Sequence, residues 1–241
     1  MSSILYLSRA DVERVALDMP TILDLLERAF REKAAGQVEM PPKPGIHTQP
    51  EAFIHAMPAY IPALRSAGIK WVSGYPENQK HGLPYISGLL VLNDVETGIP
   101  YAVMDCTWIT AYRTGAASAL AAKYLARPDS KVAAILACGV QGRTNLEALA
   151  AVFRLKTVYA FDIRPEVQKR YVEEMTAKLH VEIIGVDEPK GRYRKRPGDH
   201  LRANSEKSCS DNPEGLAKTR GLRERRRFRQ LLDPGSPGPN R

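Results

Sequence analysis

The sequence predicts an α/β protein: an N-terminal α+β domain over residues 1–126, a truncated βαβαβ domain over 127–188, and a basic tail of low order over 189–241. Three observations predict it. Strand-like runs separated by turns fill the first part, after two short helical patterns. Apolar strands then alternate with amphipathic helices from Lys131 to Val186, the pattern of a parallel sheet covered by helices. Beyond Pro189 the apolar periodicity stops and the charge rises.

In order, "ILYLS" (Ile4–Ser8) predicts a short strand, and Ser8 with Asp11 three residues on predicts a helix start. Asp18 predicts the cap of a second helix with Pro20 in its first turn. Ile22, Leu25, Leu26, Ala29 and Phe30 give it an apolar face, and Gly36 ends it. Ala52–Ile61, Ile69–Ser73, Tyr85–Leu92 and, after the turn "NDVETG", Pro100–Ile109 predict strands of a mostly antiparallel sheet with helices at one side. Thr110–Ala126 is an Ala-rich helix bounded by Pro128. "KVAAILACG", "KTVYAFD" and "VEIIGV" then predict strands, with "VQGRTNLEALAAVF" and "RPEVQKRYVEEMTAKL" as helices between them. This is half of a doubly wound, Rossmann-like nucleotide-binding domain.

Composition narrows the function. The net charge of +8 over 241 residues is unevenly placed. Up to Pro189 there are 20 Lys+Arg against 21 Asp+Glu, and from Lys190 onward 15 against 6. The body therefore offers no electrostatic case for nucleic acid. Cys106, Cys138 and Cys209 form no CxxC pair, which predicts a reducing, cytoplasmic setting. No leader and no membrane-length apolar run is predicted. His47, His55, His81, His180 and His200 lack metal-ligand spacing, and neither a GxSxG elbow nor a Walker loop occurs.

Between strand and helix stands "ACGVQG", Ala137–Gly142, a dinucleotide turn with its first glycine replaced by alanine. Such a turn brings backbone N–H groups close to a pyrophosphate at a helix N-terminus. Asp162 ends the next strand, at the distance expected of an acid that binds a ribose 2′-hydroxyl. That favours NAD over NADP, with Arg164 leaving room for a phosphate. The same glycines also read as close helix–strand packing, with Asp162 capping a loop. Upstream, Lys70 interrupts a strand-like apolar run and Arg113 starts an Ala-rich helix. A cation in an apolar strand is costly unless paired. Taken singly, the two also read as a snorkelling lysine and a surface arginine.

"GIKWVSGYPEN", "HGLPYISGLLVLNDVETGIP", "MDCTWITAYRTGAASA" and "ILACGVQGR" together resemble the ornithine cyclodeaminase/mu-crystallin family, from about Leu5 to Gly185. The resemblance implies a substrate-binding and dimerisation domain beside a Rossmann domain, and a cytoplasmic homodimer acting in amino-acid metabolism. It implies NAD(P)-dependent hydride chemistry, as lyase or oxidoreductase, on an amino acid or cyclic imine. By it, Arg113 binds the substrate carboxylate and, with Thr114, borders the cofactor. Lys70 is the active-site lysine, and Arg113 and Lys70 converge on one small zwitterion. Gly139, Val140 and Gln141 cradle the phosphates, and Asp162 holds the ribose. Lys43 stands where many members bind substrate with a second arginine. A lysine lacks the planar fork for a bidentate carboxylate contact, so strict ornithine specificity is not implied. In a cyclodeaminase, NAD⁺ takes hydride from the α-carbon, the side-chain amine closes on the resulting imine, ammonia departs, and the retained NADH reduces the cyclic imine to proline; proximity drives the closure. A dehydrogenase or imine reductase uses the same parts without the internal cycle.

The tail "KGRYRKRPGDHLRANSEKSCSDNPEG" and its Arg-rich continuation cannot offset their ordering entropy by burial. Written as degenerate codons and read one nucleotide later, Gly215–Asp233 permits the string GWLKPGVFASVVDFDNYWI, which resembles the family at this point. The expectation is a single-nucleotide frameshift near Pro189–Gly191. The aspartate that some members use on the amine or water would straddle the codons of Arg229 and Gln230, and this chain lacks it. With three strands left in the Rossmann half, a catalytically inactive remnant that binds cofactor or dimerises is a second reading. A basic tail binding nucleic acid through "RERRRFR" is a third.

Overall fold

The structure, a computed structural model, describes residues 3–188 and the backbone of 200–204. The rest of the predicted tail, its frameshift and its proposed nucleic-acid contacts lie outside the described residues. The chain divides into two compact units, one of Met1–Asp18 with Glu27–Thr110, the other of Met19–Leu26 with Ala111 onward. The second unit thus takes in most of the Ala-rich helix, which the sequence groups with the first domain.

The first unit is a six-stranded sheet. Its strands are β1 (Leu5–Leu7), β2 (Gly45–Ile46), β3 (Phe53–Ile61), β4 (Ser66–Gly74), β5 (Ile86–Asn93) and β6 (Pro100–Asp105), in the order β1-β6-β5-β4-β3-β2. Only β1–β6 is parallel among its pairs. Helix α1 (Arg9–Val15) starts as predicted: the Asp11 amide donates to Ser8 Oγ, and the Ser8 amide donates back to the Asp11 carboxylate. Helix α2 (Met19–Ala34) is followed by Gly36 at φ 72°.

The register sorts the sheet into two faces, since side chains alternate along a strand. Met57, Lys70, Leu90 and Met104 share one face, where Val72 and Ala102 are buried. Trp71, Leu89, Tyr101 and Tyr6 share the other, and each is about half exposed or more (47, 48, 49 and 71%). One boundary differs from expectation. The strand predicted to run to Ile109 stops at Asp105, and α3 (Thr107–Leu125) begins two residues later. The cause is local: the Asp105 carboxylate accepts from both the Thr107 amide (2.8 Å) and the Thr107 hydroxyl (3.1 Å), turning the chain into the helix.

The second unit follows the predicted alternation: β7 (Val132–Leu136), α4 (Val140–Val152), β8 (Thr157–Phe161), α5 (Pro165–Leu179) and β9 (Glu182–Gly185). Ala133, Ala134 and Ile135 are consecutive and all buried, so both faces of β7 are covered. Their core includes Ala119 of α3, Leu146 and Leu149 of α4, and Tyr171 and Met175 of α5. A fourth parallel strand, β10 (His200–Asn204), pairs with β7 on the side away from β8, in the order β10-β7-β8-β9. The sequence predicts three strands here. A ladder is made by backbone groups, which a charged context does not forbid, so β10 leaves little trace in the apolar pattern. Chain order reverses between β7 and β10, the position at which doubly wound sheets bind ligands.

Candidate functional site

The turn after β7 is built by strain and close approach. The Ala137 amide donates to Phe161 O (2.8 Å), and Ala137 sits at φ 75°, the left-handed region. That conformation costs an L-residue about 1–2 kcal/mol, which explains why a glycine is usual there. Gly139 is the N-cap of α4, and a Cβ on it would meet nothing within 4 Å: its outer side is open. Gly142 is the opposite case, since its Cβ would lie 2.3 Å from Ala137 O. Glycine there lets α4 begin directly against the turn. The first intrahelical bond runs from Arg143 N to Gly139 O (3.1 Å). The N–H groups of Val140, Gln141 and Gly142 therefore have no helical acceptor and, with the helix dipole, favour an anion.

Asp162, at the end of β8, is buried against this turn. Its carboxylate accepts from the Cys138 amide (2.8 Å) and the Arg164 amide (3.0 Å), with Arg164 Nε at 3.7 Å. Each carboxylate oxygen keeps a further acceptor position. Two buried oxygens on α4, Gln141 Oε1 and Asn145 Oδ1, have no partner. An open Gly139, an unbonded first turn and these orphaned acceptors fit a dinucleotide. Helix α3 reaches α4 backbone to backbone, for a Cβ on Gly115 would stand 2.4 Å from Thr144 O. Half-buried Arg113 and Thr114 immediately precede that contact. The structure thus gathers Arg113, Thr114, Gly139, Val140, Gln141 and Asp162 in the second unit.

Lys70 and Lys43 belong to the first unit. Lys70 is half-buried in mid-β4, between Met57 and Leu90, and its Nζ donates to Thr110 Oγ1 (3.3 Å). Cys106 is fully buried, and burial pushes its thiol up against the opposing pull of Thr110 and Lys70. Lys43 is exposed just before β2. On the paired strand, His55 stacks on Phe53 (4.3 Å between centroids) and meets His47 edge-on (6.3 Å). Burial, then Lys43 and His47, hold the His55 imidazole below its usual pKa.

Sequence reasoning misses four participants: Thr110, Arg143, Tyr171 and Glu174. Arg143 stands inside the quoted "ILACGVQGR", directly after the turn, and that adjacency is its signal. Tyr171 and Glu174 are joined to it only through the tertiary fold.

A sequence profile of the ornithine cyclodeaminase/mu-crystallin family matches residues 4–192. The chain belongs to this family. Among family relatives, the chain is 42% identical over 168 residues to an alanine dehydrogenase of Archaeoglobus fulgidus, covering 70% of this chain and 51% of the relative. The structure of Thermococcus litoralis Δ1-pyrroline-2-carboxylate reductase with NADH and L-proline superposes with a TM-score of 0.74 at 43% identity, covering 77% of this chain and 58% of that one. An archaeal alanine dehydrogenase dimer with bound NAD superposes with a TM-score of 0.71 at 39% identity, over 76% and 56% respectively. The chain spans about half the length of the curated relatives it matches.

Proposed function

We propose that this chain uses NAD, or NADP, for hydride transfer at the α-carbon of a small amino acid, or for the reverse reduction of an imine. The carrying observation is the α4 N-terminus, with Gly139 open above it and Asp162 beside it. The nucleotide supplies a hydride acceptor or donor. The chain's own residues do the rest. Gly139, Val140 and Gln141 hold the phosphates by backbone N–H groups, and Asp162 accepts from a ribose hydroxyl. Thr114 borders the nucleotide, and Arg113 binds the substrate carboxylate through its planar fork. Lys70, steadied by Thr110, moves a proton at the substrate nitrogen.

The array of Lys43, His47 and His55 supports a substrate class. Its Lys43 ammonium attracts a carboxylate and repels a second ammonium, which favours an amino acid without a cationic side chain over ornithine, while His55, held below its usual pKa, adds a neutral ring. The alanine dehydrogenase and pyrroline-carboxylate reductase relatives support that reading, and the ornithine cyclodeaminases among the relatives weigh against it. The exposed Tyr6, Trp71, Leu89 and Tyr101 face supports a homodimer. Free Cys106 and Cys138 support a reducing, cytoplasmic setting. Among the described residues no helix is long and apolar enough to cross a membrane. The family match stops at residue 192, close to where the sequence predicts the frame to shift.

Titration with NADH by fluorescence, followed by assays with alanine, ornithine and Δ1-pyrroline-2-carboxylate, tests the proposal. Turnover is expected with the first and third, and Lys70→Ala should lower kcat/KM by about 10²–10⁴-fold with NADH affinity kept. Binding without turnover of any substrate supports the cofactor-binding remnant instead, and no NADH binding removes both readings.

A further inference from the structure

Arg143 is committed to the turn from two sides. Its Nη1 donates to the Cys138 carbonyl and, at 3.4 Å, to the Gly139 carbonyl. Its Nε (3.0 Å) and Nη2 (2.6 Å) both donate to Glu174 Oε2 on α5. The guanidinium lies 5.3 Å over the Tyr171 ring, and Tyr171, fully buried, donates its hydroxyl to Gly142 O (3.1 Å). Two side chains, Arg143 of α4 and Tyr171 of α5, thus hold the carbonyls of three turn residues, 138, 139 and 142, and Glu174 braces the arginine.

A trans peptide is planar, so a carbonyl and the N–H that follows it point in opposite directions. Drawing the Cys138 carbonyl toward Arg143 turns the Gly139 N–H away from it. Drawing the Gly139 carbonyl does the same for the Val140 N–H. The Cys138 amide is meanwhile bonded to Asp162. Residue 138 is therefore gripped at its N–H by an anion and at its C=O by a cation. The grip matters because Ala137 at φ 75° stores strain that a looser turn would release.

We propose that Arg143, braced by Glu174 and Tyr171, is a positioning residue that aims the Gly139 and Val140 N–H groups at the pyrophosphate. The proposal rests on the nucleotide reading above and adds to it a determinant of affinity outside the glycine motif. It also accounts for an alanine at 137: the grip holds the left-handed conformation that glycine would adopt without strain.

The test uses the full chain with Arg143→Met, Arg143→Lys, Glu174→Gln and the pair Arg143→Met/Ala137→Gly. NADH and ADP-ribose affinities are read by fluorescence and calorimetry, with adenosine as the ligand lacking phosphate. Loss of one charge-assisted brace should weaken NADH and ADP-ribose about tenfold for Arg143→Met, less for Arg143→Lys and Glu174→Gln. Adenosine affinity should stay unchanged. Ala137→Gly relieves the left-handed strain in the loosened turn and should restore part of the loss; a loss confined to the phosphate-bearing ligands is what a purely structural arginine would not give. Wild-type NADH affinity in Arg143→Met overturns the proposal, and so does an equal loss for adenosine without rescue. Backbone amide exchange in the ligand-free chain separates this from failure of the nucleotide reading. Arg143→Met should speed exchange at Ala137 and Cys138, whose amides are bonded to Phe161 O and the Asp162 carboxylate, even if wild type binds no NADH, and unchanged exchange sinks the grip on its own.

Discussion

The two sheets of this chain are buried in opposite ways. In the parallel sheet, neighbouring residues Ala133, Ala134 and Ile135 are all closed to solvent. In the mixed sheet, all nine residues of β3 are only partly buried, and Trp71 and Leu89 stand about half exposed on one face. Parallel strands need cover on both faces, whereas a largely antiparallel sheet can leave one face to water or to a partner. The difference teaches where each unit finds its stability. The second carries its core within the chain, and the first leaves a largely apolar face half exposed, the face on which the proposed homodimer rests.

Substitutions can break that contrast. The largest effect belongs to Leu146→Ala, which opens a cavity among fully buried residues and should cost about 2–5 kcal/mol of folding stability by chemical denaturation. The paired substitution Leu89→Asp should cost folding well under half of that, about 1 kcal/mol or less, because its site is already half in water. It should instead lower the molar mass seen by light scattering to that of one chain. Equal stability losses at the two positions would erase the contrast, and an unchanged mass would remove the exposed face as a contact. The smallest effect sharpens rather than breaks. Ala137→Gly relieves the left-handed strain and should raise stability by about 0.5–1 kcal/mol, since glycine's larger unfolded-state entropy offsets part of the relief. A lower melting temperature would contradict the strain.

Much of this was legible in the residues. The strand–turn–helix order, the spacing of Gly139, Gly142 and Asp162, and the capping box at Ser8 are local signals, and local signals survive in a sequence. Lys70 could be found because an ammonium in an apolar strand demands a partner. Its partner, Thr110, could not, since forty residues separate them. Arg143 and Glu174 lie 31 apart and meet only when α4 and α5 pack. The start of α3 was hidden because Cys106–Ile109 reads as a strand until the Asp105 side chain is seen to close the turn. β10 was hidden by its surroundings, because backbone pairing leaves no mark on composition.

Cys138 has a practical consequence. Its sulfur is fully buried beneath the turn that follows β7, and burial, with Asp162 adding to it, pushes the thiol pKa up to about 12. At neutral pH it is almost wholly protonated and inert to alkylation. Whatever loosens the ground above it exposes a new nucleophile, so the rate of its labelling by a maleimide is a built-in gauge of how firmly that ground holds.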